Sequence, residues 1–205
     1  MAYIFEQIRK KKFFFICLFF ILVTGAIWLF IAGKAATFIA LNGYHASWLN
    51  IFFINYTYLG DGIFAIIIVA LCFFVLKKKQ EGWAQLIAYL SSGLVAQIIK
   101  NIFSAARPKA FFEPGKYLYF IDNITLSNTS SLPSGHTATA FALATVLALY
   151  TENKGWQLLV LLGAVLVGYS RIYLGQHFLS DVLLGAFIGS ICAPVSVWAA
   201  RNISM

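Results

Sequence analysis

The sequence predicts an all-α integral-membrane bundle of six helices, one domain over residues 1–205, and three observations carry that expectation. Of the 205 residues, 61% are hydrophobic and 11% charged, with a mean hydropathy of +0.83. A soluble domain is about 45–50% apolar and about 25% charged. Six apolar stretches follow one another at about 13–33, 59–76, 84–106, 135–150, 156–175 and 178–200. A crossing needs roughly 17–25 such residues, and the fourth stretch is the shortest. Finally, the charges are placed as in a membrane protein. Seven basic residues form the clusters Arg9-Lys10-Lys11-Lys12 and Lys77-Lys78-Lys79, each bordering an apolar run.

The first stretch is longer than the apolar core of a signal peptide and is followed directly by Lys34, so it reads as an uncleaved anchor. Residues 35–58 are aromatic and mildly amphipathic, the pattern of a helix lying in the membrane interface. Alternate threading with the N-terminus inside places nine basic residues on the inner side: 9–12, 77–79, Lys154 and Arg201. Six fall outside: Lys34, Lys100, Arg107, Lys109, Lys116 and Arg171. The excess marks the inner side as cytoplasmic, both termini with it. The same clustering removes nucleic acid as the partner implied by the net charge of +8; the implied partner is the bilayer. The loop over about 107–134 is long and aromatic, with Phe111, Phe112, Tyr117, Tyr119 and Phe120, and loops of that length tend to carry function. Cys17, Cys72 and Cys192 sit inside apolar runs, without metal-ligand spacing or a disulfide framework.

Ionisable groups in a bilayer cost about 2.5–3.5 kcal/mol each at a helix centre and face the bundle interior. Lys100, Arg107, His136, Arg171, His177 and Asp181 lie at or near segment ends, and the threading brings all six to the outer side at one depth. Helical registry agrees, since residues four apart share a face. Ser92, Ala96, Lys100 and Ser104 form one stripe. His136, Ala140, Ala144 and Ala148 form a second, Gly168, Arg171 and Gly175 a third, and His177, Asp181, Gly185 and Gly189 a fourth. Small residues on a membrane helix mark close packing, so each polar group stands on a face expected to be buried. The first two segments lack such stripes and read as lipid-facing. Within the cluster, His177 and Asp181 are one turn apart, in reach for a carboxylate to fix an imidazole tautomer. Lys100 and Arg107, two turns apart, can point at one anion. Lys34 and His45 read as an interfacial anchor and a core residue.

These residues resemble the type 2 phosphatidic acid phosphatase superfamily, to which the vanadium haloperoxidases also belong. Three parts carry the resemblance, in order and correctly spaced: Lys100-x6-Arg107-Pro108, then Pro133-Ser134-Gly135-His136, then Ser170-Arg171-x5-His177-x3-Asp181. It covers roughly residues 59–200. It implies that Lys100, Arg107, Ser134, Gly135 and Arg171 bind a phosphoryl group and that His177 attacks phosphorus to form a phosphohistidine. Asp181 would hold the tautomer of His177, and His136 would act as the acid and then the base. No metal or other cofactor is implied. The expected substrate is a lipid phosphate reached at the outer leaflet of a bacterial inner membrane: undecaprenyl pyrophosphate, phosphatidylglycerophosphate, phosphatidic acid or lipid A. A non-catalytic anion-binding or transport protein would use the same basic cluster, but gives no reason for an oriented His/Asp pair and a second histidine. A haloperoxidase is disfavoured by the six apolar stretches, because those relatives are soluble.

Overall fold

The computed structural model of the chain describes residues 2–112, 121 and 127–203, and those residues are helical with no strand among them. In chain order the helices are α1 Ala2–Lys10, α2 Lys12–Asn42, α3 Ser47–Tyr56, α4 Gly62–Ala70, α5 Lys79–Phe103, α6 Pro108–Phe111, α7 Gly135–Leu149, α8 Lys154–Tyr173 and α9 Leu179–Ile203. Tyr117, Tyr119 and Phe120 of the aromatic loop, and Lys116 beside them, lie outside the described residues.

The centre of the bundle is α7, the stretch that is shortest in the sequence. Twelve of its 15 residues are buried, because α5, α8 and α9 surround it. Its alanines and threonines let those neighbours approach, and α9 answers with glycines. A Cβ on Gly185 would stand 2.6 Å from the Ser134 carbonyl oxygen, and one on Gly189 would collide with the Ala138 carbonyl. The small-residue stripe of the sixth segment is therefore the α7–α9 contact surface. Phe14 and Leu18 from α2 close the core against Phe141, Leu161 and Val167.

Among the described residues four helices are long and apolar enough to cross a bilayer: α2, α5 with its short continuation α6, α8 and α9. The second predicted segment is a bent pair, Ser47–Gly60 and Gly62–Val75, inclined by 58° at a break around Asp61. At about 1.5 Å per residue, α7 reaches some 22 Å, less than the hydrocarbon thickness, and it lies inside protein. Length and composition thus support four crossings, or five with the bent pair, whereas six were expected.

Two helix ends differ from the sequence expectation for local reasons. Gly33 takes φ 79°, a backbone open to glycine, and breaks α2 where the first predicted segment ends. Beyond it, Asn42 donates from Nδ2 to the carbonyls of Ile172 and Tyr173, at 3.0 and 2.9 Å, and so covers the last turn of α8. Helix α5 stops at Phe103, three residues before the expected end, where Ser104 turns left-handed (φ 37°). Arg107 precedes Pro108 and is extended, as a residue before proline prefers. Arg107 therefore does not continue the helical stripe of Lys100, and Ser104, expected on that buried face, is exposed.

Candidate active site

Four chain segments deliver the eight selected residues to one end of the bundle. Lys100 rides the last turn of α5, with Arg107 four residues past its end. Ser134, Gly135 and His136 open α7, and Arg171 lies in the last turn of α8. Gly175, at φ 67°, turns the chain sharply between α8 and α9. That turn brings His177 back so that its N–H donates to the Arg171 carbonyl, 3.2 Å. Asp181 sits in the first turn of α9, and its carbonyl accepts from the Ser134 N–H at 2.9 Å, stitching α7 to α9 at the site. Arg107 and Arg171 both lie close enough to act electrostatically on Lys100, so the three cations share one region although Arg107 has left the helix.

The His177 and Asp181 side chains are 3% and 1% exposed, with Nδ1 3.5 Å from Oδ2. Asp181 is held by several donors. Oδ2 accepts from the Ser131 hydroxyl at 2.5 Å and from the Phe178 N–H at 2.9 Å, and Oδ1 accepts from the Ser180 hydroxyl at 3.0 Å. Burial pushes the His177 imidazole down to about 4; Asp181 opposes that shift, and Arg171 and Arg107 add to it. The ring is neutral near pH 7, the form in which a ring nitrogen is nucleophilic.

Arg171 is also buried, 5% exposed. Its Nη1 donates to Thr57 Oγ1 at 2.6 Å and its Nη2 to Gln176 Oε1, while Nε has no partner among the described residues. Arg107 donates from Nε to the Thr129 carbonyl at 3.0 Å. Ser134 is fully buried and caps α7, its hydroxyl oxygen accepting from the Thr137 hydroxyl at 2.9 Å. Gly135 leaves a gap beside Lys100, whose Nζ would be 3.7 Å from a Cβ there. A cleft of about 220 Å³ opens at this point, walled by Gly60, Asp61, Lys100, Gly135, His136 and Thr139. Within it His136 Nε2 stands 3.7 Å from Asp61 Oδ2.

Asp61, Thr57, Gln176 and Ser131 are the site's neighbours that sequence reasoning missed. Asp61 had a usable signal, since an acidic residue between two glycines interrupts an apolar stretch. Thr57 and Ser131 had none, being ordinary hydroxyl residues. Among the described residues, no three His, Cys, Asp or Glu side chains gather into a metal-holding group.

The model of the PAP2 superfamily matches residues 81–204. Among curated proteins, phosphatidylglycerophosphatase B of Bacillus subtilis is 29% identical over 69% of this chain and 70% of its own length. The bacitracin transport permease protein BcrC of Bacillus licheniformis is 32% identical over 58% of the chain, which spans a little over half of that relative (55%). Among solved structures, LpxE of Aquifex aeolicus superposes with a TM-score of 0.70 at 31% identity, covering 80% of this chain and 94% of the other. With the three motif parts gathered at one end of an all-helical membrane bundle, the chain belongs to the PAP2 superfamily and is an integral-membrane phosphatase.

Proposed function

We propose that the protein removes phosphate from a membrane lipid at the non-cytoplasmic face, through a phosphohistidine on His177. The observation that carries the reading is the buried, neutral His177 backed by Asp181, in one region with Lys100, Arg107 and Arg171. Hydrolysis of a phosphate monoester is among the slowest uncatalysed reactions, and charge stabilisation with positioning supplies most of its acceleration. The three cations would hold the phosphoryl oxygens, Arg171 through its unpartnered Nε. The Gly135 N–H, in the first turn of α7, would add a donor helped by the helix N-terminus. Ser134 would shape that turn as its cap, with its own hydroxyl proton left to donate.

In the first step the Nε2 lone pair of His177 forms the N–P bond while the P–O bond to the lipid breaks. His136 gives its proton to the departing oxygen, and Asp181 balances the positive charge that develops on His177. In the second step His136 takes a proton from water, whose oxygen attacks phosphorus. The N–P bond breaks, its electron pair returns to Nε2, and inorganic phosphate leaves. The basic clusters at the opposite end of the bundle support a cytoplasmic setting for that end, with both termini. The site then faces the outer leaflet, as at the inner membrane of a bacterium.

Undecaprenyl pyrophosphate, phosphatidylglycerophosphate, phosphatidic acid and lipid A all present a phosphate there. The experiment is a phosphate-release panel over these four lipids in detergent, with His177→Ala as the blank. Release from at least one lipid that disappears in the blank supports the reading, and equal release by both proteins overturns the nucleophile. A transport role has one observation in its favour, the name carried by the Bacillus licheniformis relative. Phosphate release from none of the four lipids by the folded protein would favour it.

A further inference from the structure

The three motif parts span Lys100 to Asp181, yet the cleft is completed by a segment well before them. Between α3 and α4 the chain makes a 3-10 turn, Thr57–Gly60, and then Asp61 caps α4 by accepting from the Ile63 N–H at 2.8 Å. Three consecutive contacts tie this turn to site residues. Thr57 Oγ1 accepts from Arg171. Gly60 is pressed onto the start of α7, so that a Cβ there would stand 2.6 Å from the His136 carbonyl oxygen. Asp61 Oδ2 lies 3.7 Å from His136 Nε2. Neither the motif parts nor the matched stretch 81–204 includes any of the three.

We propose that this turn is a fourth part of the active site, in which Asp61 is a positioning residue that charges and orients His136 for proton delivery to the leaving group. The inference rests on the assignment of His136 as the general acid. Burial first, and then Arg171 from α8, His177, Lys100 from α5 and Arg107, push this imidazole down to about 3 and so oppose a proton on it. A carboxylate 3.7 Å from Nε2 sets a charge of opposite sign beside this ring. At 3.7 Å it does not tie up the N–H in a hydrogen bond, so the proton stays available to a departing oxygen. The place is also right for such an oxygen. Asp61 stands where the cleft of about 220 Å³ meets an apolar groove of about 300 Å³, walled by Tyr58, Leu59, Ile63, Phe64 and Ile67. An ester oxygen joining a phosphate in the cleft to hydrocarbon in the groove would lie beside Asp61, which lines both, on the side where His136 faces the cleft. No bond is made to Asp61 itself. The proton moves from His136 to the ester oxygen as the P–O bond breaks.

The test is Asp61→Asn, which keeps a good helix cap and removes the charge. It is assayed on phosphatidic acid, whose alkoxide needs the proton, and on p-nitrophenyl phosphate, whose leaving group departs as a stable phenolate. General acid catalysis contributes about 10²–10⁴-fold, and a residue that supports the acid supplies part of it. Read in single turnover as the phosphorylation step, because the second step is common to both esters, the expected loss is about 10–100-fold on phosphatidic acid and less than about threefold on p-nitrophenyl phosphate. An equal loss on both esters, or no loss on either, overturns the proposal, because a merely structural role does not distinguish leaving groups. His136→Ala runs alongside. If it slows the phosphorylation step equally for both esters, the acid assignment itself fails; if it is selective in that step and Asp61→Asn is not, only the role of Asp61 fails. Thermal unfolding in detergent checks the fold, and Asp61→Ser, also a good cap, repeats the test if the amide disturbs the turn.

Discussion

Two histidine–carboxylate pairs stand at the same end of the bundle, and they are built in opposite ways. His177 and Asp181 lie one helical turn apart in the sequence and are sealed from solvent, at 3% and 1% exposure. His136 and Asp61 come from different helices, meet only in the fold, and are about one third exposed, at 31% and 35%. Three donors lock the Asp181 carboxylate, whereas Asp61 spends one oxygen on capping α4 and leaves the other beside the imidazole. Burial lowers both imidazoles, His177 to about 4 and His136 to about 3, so the contrast between them lies in access to solvent. Access to solvent lets a ring exchange protons with water and a leaving group, as an acid–base group must twice per turnover. The difference in exposure thus tracks the difference in proposed role.

The largest effect that would break this contrast is at the buried pair. His177→Ala is expected to lower turnover by at least about four orders of magnitude, since no other group would replace the proposed covalent nucleophile. Phosphate release by the purified, folded variant measures it, and residual activity near that of wild type would end the contrast. Asp181→Asn should cost about 10³–10⁴-fold with little change in KM, because the tautomer and the developing positive charge lose their support. The pH profile sharpens the comparison further. In the proposed mechanism attack needs neutral His177, so activity should fall as pH drops through its value of about 4; the acid limb of kcat/KM is expected near pH 4 and not near 6.5. Asp181 favours the protonated ring, so Asp181→Asn should move that limb lower still, as the residual activity of the variant against pH would show. The smallest effect is at the edge of the site. Thr57→Val removes the acceptor of Arg171 Nη1, and the loss of one such hydrogen bond should raise KM about 3–10-fold while kcat changes less. Steady-state kinetics on the best lipid of the panel reads both parameters.

Much of the site could be read before folding because its spacing is local. His177 and Asp181 are four residues apart across the start of α9, His177 just before the helix and Asp181 in its first turn, and Ser134-Gly135-His136 opens α7 with Ser134 as its cap. The small-residue stripe of the last segment likewise named the face that α9 buries against α7, which meets it with Ser134, Thr137, Ala138 and Ala142, whereas the expected α7 stripe of Ala140, Ala144 and Ala148 clusters with Leu161, Ala164 and Val167 of α8. What registry alone handled badly was the end of α5. The apolar pattern runs on past Phe103, but the left-handed Ser104 and the proline after Arg107 stop the helix, so Arg107 reaches the site from a loop. Asp61 and Thr57 were passed over because they belong to a stretch that looked like one lipid-facing segment. The break inside it, at Gly60-Asp61-Gly62, is where that stretch stops facing lipid and touches the site.

By itself the sequence determined the helical membrane class, the three motif parts and the buried histidine–aspartate pair. Each of these follows from composition or from residues within a turn or two of one another, where helix geometry converts spacing into position. The tertiary structure alone decided that α7 is the buried centre of the bundle, that Arg171 is held by Thr57, and that His136 has a carboxylate of its own. Those facts depend on which distant segments pack together, and hydrophobic patterning specifies that a face is buried without saying against what.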